Sequence, residues 1–218
     1  MIVEILFALF IFVAYFLFYV EYKVNKHNEI YKYEKELTRQ NINNDILLKM
    51  PFYFDASHLN HSLNINNYKL IKKDKSNGFK EYNSIAENEL LLLKPYIKSN
   101  ITNKIYSIKG NGIFDIHTNN ESINYYFVRD GSVEIFLIHP KFKDNFKPDE
   151  KSNDKKMNNY IENNTHFHNV KCTKGTIVYV PNDWIVYIKN NEKDICWIEK
   201  LTYSSIVNKF MLYFKKNA

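Results

Sequence analysis

Between Lys104 and Tyr203 the chain breaks into short segments rich in β-branched and aromatic residues, near 104–109, 112–117, 123–129, 132–138, 166–172, 176–180, 184–189 and 194–202, each bounded by Gly, Pro or Asn. Runs of this length with turn residues between them cannot make long helices or parallel βαβ units. They read as antiparallel strands of a jelly roll or another small β-sandwich. The alternation in Ser132–Ile138 and Thr176–Val180 puts one side of each strand on a core. About 170 ordered residues suffice for one hydrophobic core and not for two.

The segments also carry motifs in a fixed order. The first reads Gly112-Ile-Phe-Asp-Ile-His117-Thr-Asn119, followed by Tyr125-Tyr-Phe-Val-Arg-Asp-Gly131 and Phe136-Leu-Ile-His-Pro140. The second reads Lys174-Gly175-Thr-Ile-Val-Tyr-Val-Pro181-Asn-Asp-Trp184-Ile-Val186-Tyr. In order and spacing, from Leu90 to Tyr203, they resemble the metal-binding strands of JmjC and cupin-like 2-oxoglutarate oxygenases. The resemblance implies a mainly β fold, a double-stranded β-helix (cupin-like jelly roll) with flanking helices. It also implies a site. A non-haem Fe(II) centre takes two imidazoles and one carboxylate on one face of the metal. The family supplies them from His-x-Asp, whose alternate residues point the same way, and from the His of Pro-x-x-Trp-x-His.

Here His117 stands at the first position, Asn119 at the carboxylate and Val186 at the distal His. An amide lacks the charge that holds Fe(II), and a valine has no donor. The family's co-substrate lysine, in a Gly-x-Lys step, falls on Val133 when Gly131 and Pro140 are aligned, with Arg129 and Lys141 out of register. The resemblance thus implies the frame of an oxygenase with a degenerate metal site, no catalytic residue and no cofactor. The His117 and Val186 strands are expected to face each other across the barrel mouth. Tyr125 and Trp184 either line a vestigial pocket for a small acid or peptide or are ordinary core aromatics. The alternative is a working Fe(II)/2-oxoglutarate-dependent protein hydroxylase with rearranged ligands, in which His117, Asn119 and one of His166 or His168 hold the metal. His166-x-His168 on a strand would present both rings on one face, as a three-His site with His117 or as plain polar surface. Cys172 and Cys196 fit a reducing compartment, or one disulfide if they are strand neighbours.

The N-terminus adds a membrane segment. Ile2–Val20 is apolar and aromatic apart from Glu4, and about twenty such residues in a helix span a bilayer core of roughly 30 Å. No basic region precedes it and no small-x-small site follows, so a retained single-pass anchor is expected rather than a cleaved signal. Lys23, Lys26, Lys32 and Lys35 follow the span, which places the large domain in the cytoplasm and gives the juxtamembrane stretch affinity for an anionic leaflet. Four sequons, at Asn60, Asn100, Asn120 and Asn163, arise readily in so Asn-rich a chain.

The organisation expected is therefore an anchor over 1–21, an amphipathic helix or stalk over 22–47, with Ile30, Tyr33 and Leu37 at helical spacing, and a cupin-like domain over 48–218. A brief helix is expected at Ala86–Leu93, a loop at Lys141–Asn164, and a closing helix at Ser204–Lys216 whose Ile206, Phe210 and Tyr213 face the sheet, a protein partner or a second copy. The net charge is +6 and the pI about 9.0, but the lysines are scattered among Asp, Glu and Asn, so no specific nucleic-acid surface is expected. Abundant Asn, Lys, Ile and Tyr resemble translation of an A+T-rich genome, such as those of large DNA viruses or some protists, where a virion or virus-factory membrane would be a location. The function expected is a membrane-anchored, non-catalytic binding or scaffolding module.

Overall fold

The computed structural model describes residues 2–59, 68–74, 79–84, 91–96, 100–145 and 166–217. Its strands are β1 (Tyr31–Lys32), β2 (Phe52–Asp55), β3 (Tyr68–Asp74), β4 (Phe79–Ser84), β5 (Asn100–Ile108), β6 (Ile113–Thr118), β7 (Ile123–Asp130), β8 (Ser132–Ile138), β9 (Phe167–Thr173), β10 (Thr176–Pro181), β11 (Ile185–Lys189) and β12 (Cys196–Ser204). The helices are α1 (Ile2–Tyr22), α2 (Arg39–Ile46) and α3 (Ile206–Asn217). One sheet has the order β1-β2-β10-β7-β12-β5-β4-β3 and the other β6-β11-β8-β9. All pairings are antiparallel except β1 with β2. The strands expected between Lys104 and Tyr203 are β5–β12, and their arrangement is the jelly roll.

The two sheets enclose the main core. Tyr106, Tyr126, Val128, Val178, Val180 and Ile198 from the large sheet meet Phe114, Val133, Ile135, Leu137, Val186 and Ile188 from the small one. The large sheet is covered on its outer face too. Tyr125, Phe127, Tyr179, Leu201 and Tyr203 pack there against Tyr33, Ile42, Ile46, Phe52, Phe54 and Leu93. Strands β7, β10 and β12 therefore bury both faces, which is why they read as nearly continuous apolar runs rather than as clean alternation.

That outer cover corrects the stalk. Residues 22–47 do not form one helix. Tyr31 pairs with Phe52, and the Tyr33 amide donates to the Tyr53 carbonyl at 2.8 Å, so this part is extended and lies on the barrel. Only Arg39–Ile46 is helical, starting where the Thr38 hydroxyl accepts from the Asn41 amide and caps it. Arg39 donates to the Lys94 and Pro95 carbonyls at 2.8 and 3.0 Å and ties α2 to the turn below β5.

At Lys174-Gly175 the chain turns with φ +93 at Gly175, and a Cβ there would lie 2.8 Å from Ser57 Cα. Only glycine fits this turn. The helix expected at Ala86–Leu93 lies outside the described residues except for a 3-10 turn at Leu91–Leu93. Of the expected loop, Pro140–Asn145 is a 3-10 helix and the rest lies outside them.

No residue of α1 is buried in the protein. The helix is long and apolar enough to cross a membrane. The closing helix forms as α3, but Ile206, Phe210 and Tyr213 do not face the sheet. They are 83%, 62% and 66% exposed.

Candidate functional site

His117 enters the barrel by way of a bulge. Val186 is opposite His117 while Ile188 is opposite Phe114, so β6 carries one more residue than β11 over this step. Phe114 already points inward, and strict alternation would turn His117 out. The extra residue turns it back in, edge-on to Phe114 with ring centroids 4.9 Å apart. Asn119, just past the strand, is fixed by its own backbone. Its amide donates to the Trp184 carbonyl at 3.0 Å, and its carbonyl accepts from the Asp183 amide at 2.8 Å.

His117, Asn119 and Val186 thus lie together, as the motif alignment expects. The route is different, however. β6 and β11 are neighbours in one sheet rather than strands facing across the mouth, and directly opposed residues in an antiparallel pair have Cα atoms about 4.5–5.5 Å apart.

Lys200 belongs to none of the motifs above. On β12 it sits opposite Tyr126 and is 8% exposed. Its Nζ donates to Asn119 Oδ1 at 3.1 Å and lies 3.4 Å from His117 Nε2. The Tyr126 hydroxyl donates to the same Asn119 oxygen at 2.7 Å and lies 2.8 Å from His117 Nε2. An ammonium only donates, so the amide oxygen faces Lys200. The phenol donates to that oxygen as well, and His117 Nε2 lies between the phenol oxygen and the ammonium, its role as donor or acceptor set by the ring tautomer.

Burial pushes the Lys200 ammonium down from its ordinary 10.5 to about 8; Lys104 adds to the fall, while Glu121, at 3.9 Å, and Glu81 oppose it. Lys200 is still mostly charged at neutral pH. Burial likewise raises the Tyr126 phenol well above its usual range and keeps it neutral. The donor set here is an imidazole nitrogen already in contact with a phenol, an amide oxygen already taken twice, a valine and an ammonium. It does not fit a divalent ion.

The other expected residues separate. Tyr125 does not line this cluster, because it is one residue out of phase with Tyr126 and packs in the outer core against Tyr179 and Tyr203 at 5.6 and 6.4 Å. Trp184 is buried edge-on to His139 at 4.9 Å, and Val133 is a core residue opposite Cys172. Arg129 faces the outer side, stacked on Phe127. The three-His site is not assembled: β6 and β9 are opposite edges of a four-stranded sheet, roughly 14 Å apart at three strand spacings. His166 stacks on Phe142 at 4.2 Å, and His168 Nε2 lies 3.0 Å from Asn28 Oδ1. Among the described residues no group of three or more His, Cys, Asp or Glu converges.

Cys172 and Cys196 are on different sheets, free and buried in the main core. Burial raises both thiols, Cys196 to about 12, which suits inert core residues rather than nucleophiles.

Among curated proteins, no sequence matches the chain. Solved structures with a similar arrangement include the formate complex of Lactobacillus farciminis oxalate decarboxylase, 12% identical, with 66% of this chain and 33% of that one covered and a TM-score of 0.42. The Bacillus subtilis oxalate decarboxylase appears in a study of its Mn(II) centres (12%, 62% and 28%, 0.40) and at pH 4.6 (12%, 58% and 26%, 0.38). The chain spans about a third of the length of these enzymes or less. The Cupin family model matches residues 94–204. That is just over half of the chain and all of the barrel from β5 to β12, so this chain belongs to the cupin family.

Proposed function

We propose that this chain is a membrane-tethered cupin domain that works as a binding or scaffolding module without metal chemistry. The observation that carries the reading is the Lys200 ammonium, 3.1 Å from Asn119 and 3.4 Å from His117. At the positions where the oxygenase motifs resembled by this sequence hold their ion, the protein holds a positive charge of its own. That charge repels a second cation, and the ammonium donates a hydrogen bond to the Asn119 oxygen. Val186 and Val133, at the remaining ligand and co-substrate positions, have no polar group. The apolar α1 and the lysines that follow it support a single-pass anchor with the barrel on the cytoplasmic side.

The test is metal content and turnover of the full chain purified in detergent. We expect well under one equivalent of iron or manganese and no decarboxylation of 2-oxoglutarate. One equivalent of Fe(II), lost on His117→Ala, would establish the hydroxylase instead.

A rebuilt site provides a sharper check. Asn119→Asp with Val186→His restores the family's three donors, yet Lys200 stays among them, and this double variant is expected to bind Zn(II) no better than the parent. Adding Lys200→Met removes the ammonium and frees His117, and the triple variant is expected to bind Zn(II) at least tenfold more tightly, about 1.4 kcal/mol. Calorimetric titration decides it. Equal affinity of the double and triple variants would show that Lys200 does not block the site.

A further inference from the structure

Helix α3 shows two different sides. Asn208 is 1% exposed and fixes the start of the helix: its Nδ2 donates to the Asn120 carbonyl at 2.7 Å, and its amide donates to Ser205 Oγ at 3.0 Å. The Ser205 amide donates in turn to Ser122 Oγ at 3.1 Å. Ile206, Phe210 and Tyr213 follow the spacing of one helical stripe and are more than half exposed. A stripe of three large apolar side chains in water is costly. Its position suggests what covers it. α3 packs against α1, and Asn208 lies beside Tyr22, in the last turn of α1. That turn is where a membrane-spanning α1 leaves the bilayer.

We propose that α3 is a second membrane contact, an in-plane amphipathic helix whose Ile206, Phe210 and Tyr213 enter the interfacial layer of the bilayer that α1 crosses. The proposal rests on α1 being a membrane span. The chemistry fits lipid better than a second copy of the chain. A tyrosine among aliphatic and aromatic neighbours is the composition of the headgroup boundary, and the exposed Lys209 beside them favours anionic headgroups. One consequence concerns the barrel. Because α3 is bonded to the Asn120–Ser122 loop, the end that holds His117, Asn119 and Lys200 is drawn towards the membrane.

The test uses the full chain in vesicles of phosphatidylcholine and phosphatidylserine, with single nitroxides introduced through Ile206→Cys, Phe210→Cys, Tyr213→Cys and, as references for the span and for water, Phe10→Cys and Lys171→Cys on the exposed side of β9. The native cysteines are buried and do not compete for label. We expect the labels at 206, 210 and 213 to collide severalfold more with oxygen than with a water-soluble nickel complex, as at position 10, and the label at 171 to show the reverse. If 206, 210 and 213 meet nickel as readily as 171 while position 10 remains in lipid, α3 lies in water and the proposal is wrong. Shielding from both reagents, with spin–spin broadening that vanishes on dilution with unlabelled chain, would mean that a second copy covers the face, and this too overturns it. A water-exposed label at position 10 would remove the span and the proposal together.

Discussion

Glu199→Ala is expected to destabilise the fold by about 3–5 kcal/mol, the cost of removing one partner of a buried ion pair. Glu199 is 1% exposed on the outer face of β12. Its carboxylate accepts from Arg129 Nε at 2.5 Å and from Asn103 Nδ2 at 2.5 Å, with a further Arg129 nitrogen in contact. The guanidinium is 4.0 Å above the Phe127 ring and donates to the Leu59 carbonyl at 3.5 Å. Deleting the carboxylate leaves that cation in an apolar layer that water reaches poorly. Denaturation of the full chain in mild detergent should show a midpoint lower by on the order of 10 °C. Glu199→Met combined with Arg129→Met should recover much of the loss, because the penalty comes from the isolated charge rather than from the absence of a favourable pair. A loss below about 1 kcal/mol for Glu199→Ala would mean that the pair is hydrated, as exposed pairs are.

The second large effect concerns Lys200→Met. In the folded protein burial holds the ammonium at about 8 against an ordinary 10.5. Between those values the unfolded chain binds more protons than the folded one, so the Lys200 contribution to stability rises with pH. Below about pH 8 both states are protonated and the cost of burying the charge is fully present. Above about pH 10.5 both are neutral and it is gone. The interval corresponds to roughly 3 kcal/mol. Methionine carries no such cost, and Asn119 Oδ1 keeps its bond from Tyr126, while Glu121, about a third exposed, remains solvated. The variant is therefore expected to be the more stable protein at pH 7 and to lose that advantage as pH approaches 10.5. Urea denaturation of both proteins from pH 7 to 10.5 measures the difference directly and cancels the titration of the buried tyrosines they share. A difference that stays constant over this range would show that Lys200 is not desolvated.

The strands were legible because each of β5–β12 is a short apolar run closed by a turn residue, and the cupin arrangement was legible in the order of the motifs. The resemblance to the oxygenase motifs also singled out His117, Asn119 and Val186. It did not show that β6 and β11 are neighbours, since strand pairing depends on chain segments far apart in sequence. Nor did it resolve Tyr125 from Tyr126. In a strand buried on both faces, both residues are apolar and period two carries no contrast, and only the covering layer of Ile42, Ile46 and Leu93 distinguishes the two sides.

Lys200 was hidden for the same reason in reverse. A lysine between Glu199 and Leu201 reads as a solvent-facing residue, because isolated charges seldom enter a core. What the sequence by itself determined was the strand lengths, the turns and the apolar N-terminal helix. The tertiary structure alone decided that an ammonium lies beside His117 and Asn119. Whether a charge is buried depends on which layers close over its strand and which acceptors converge on it, and these come from β6, β7 and β12, up to 83 residues apart.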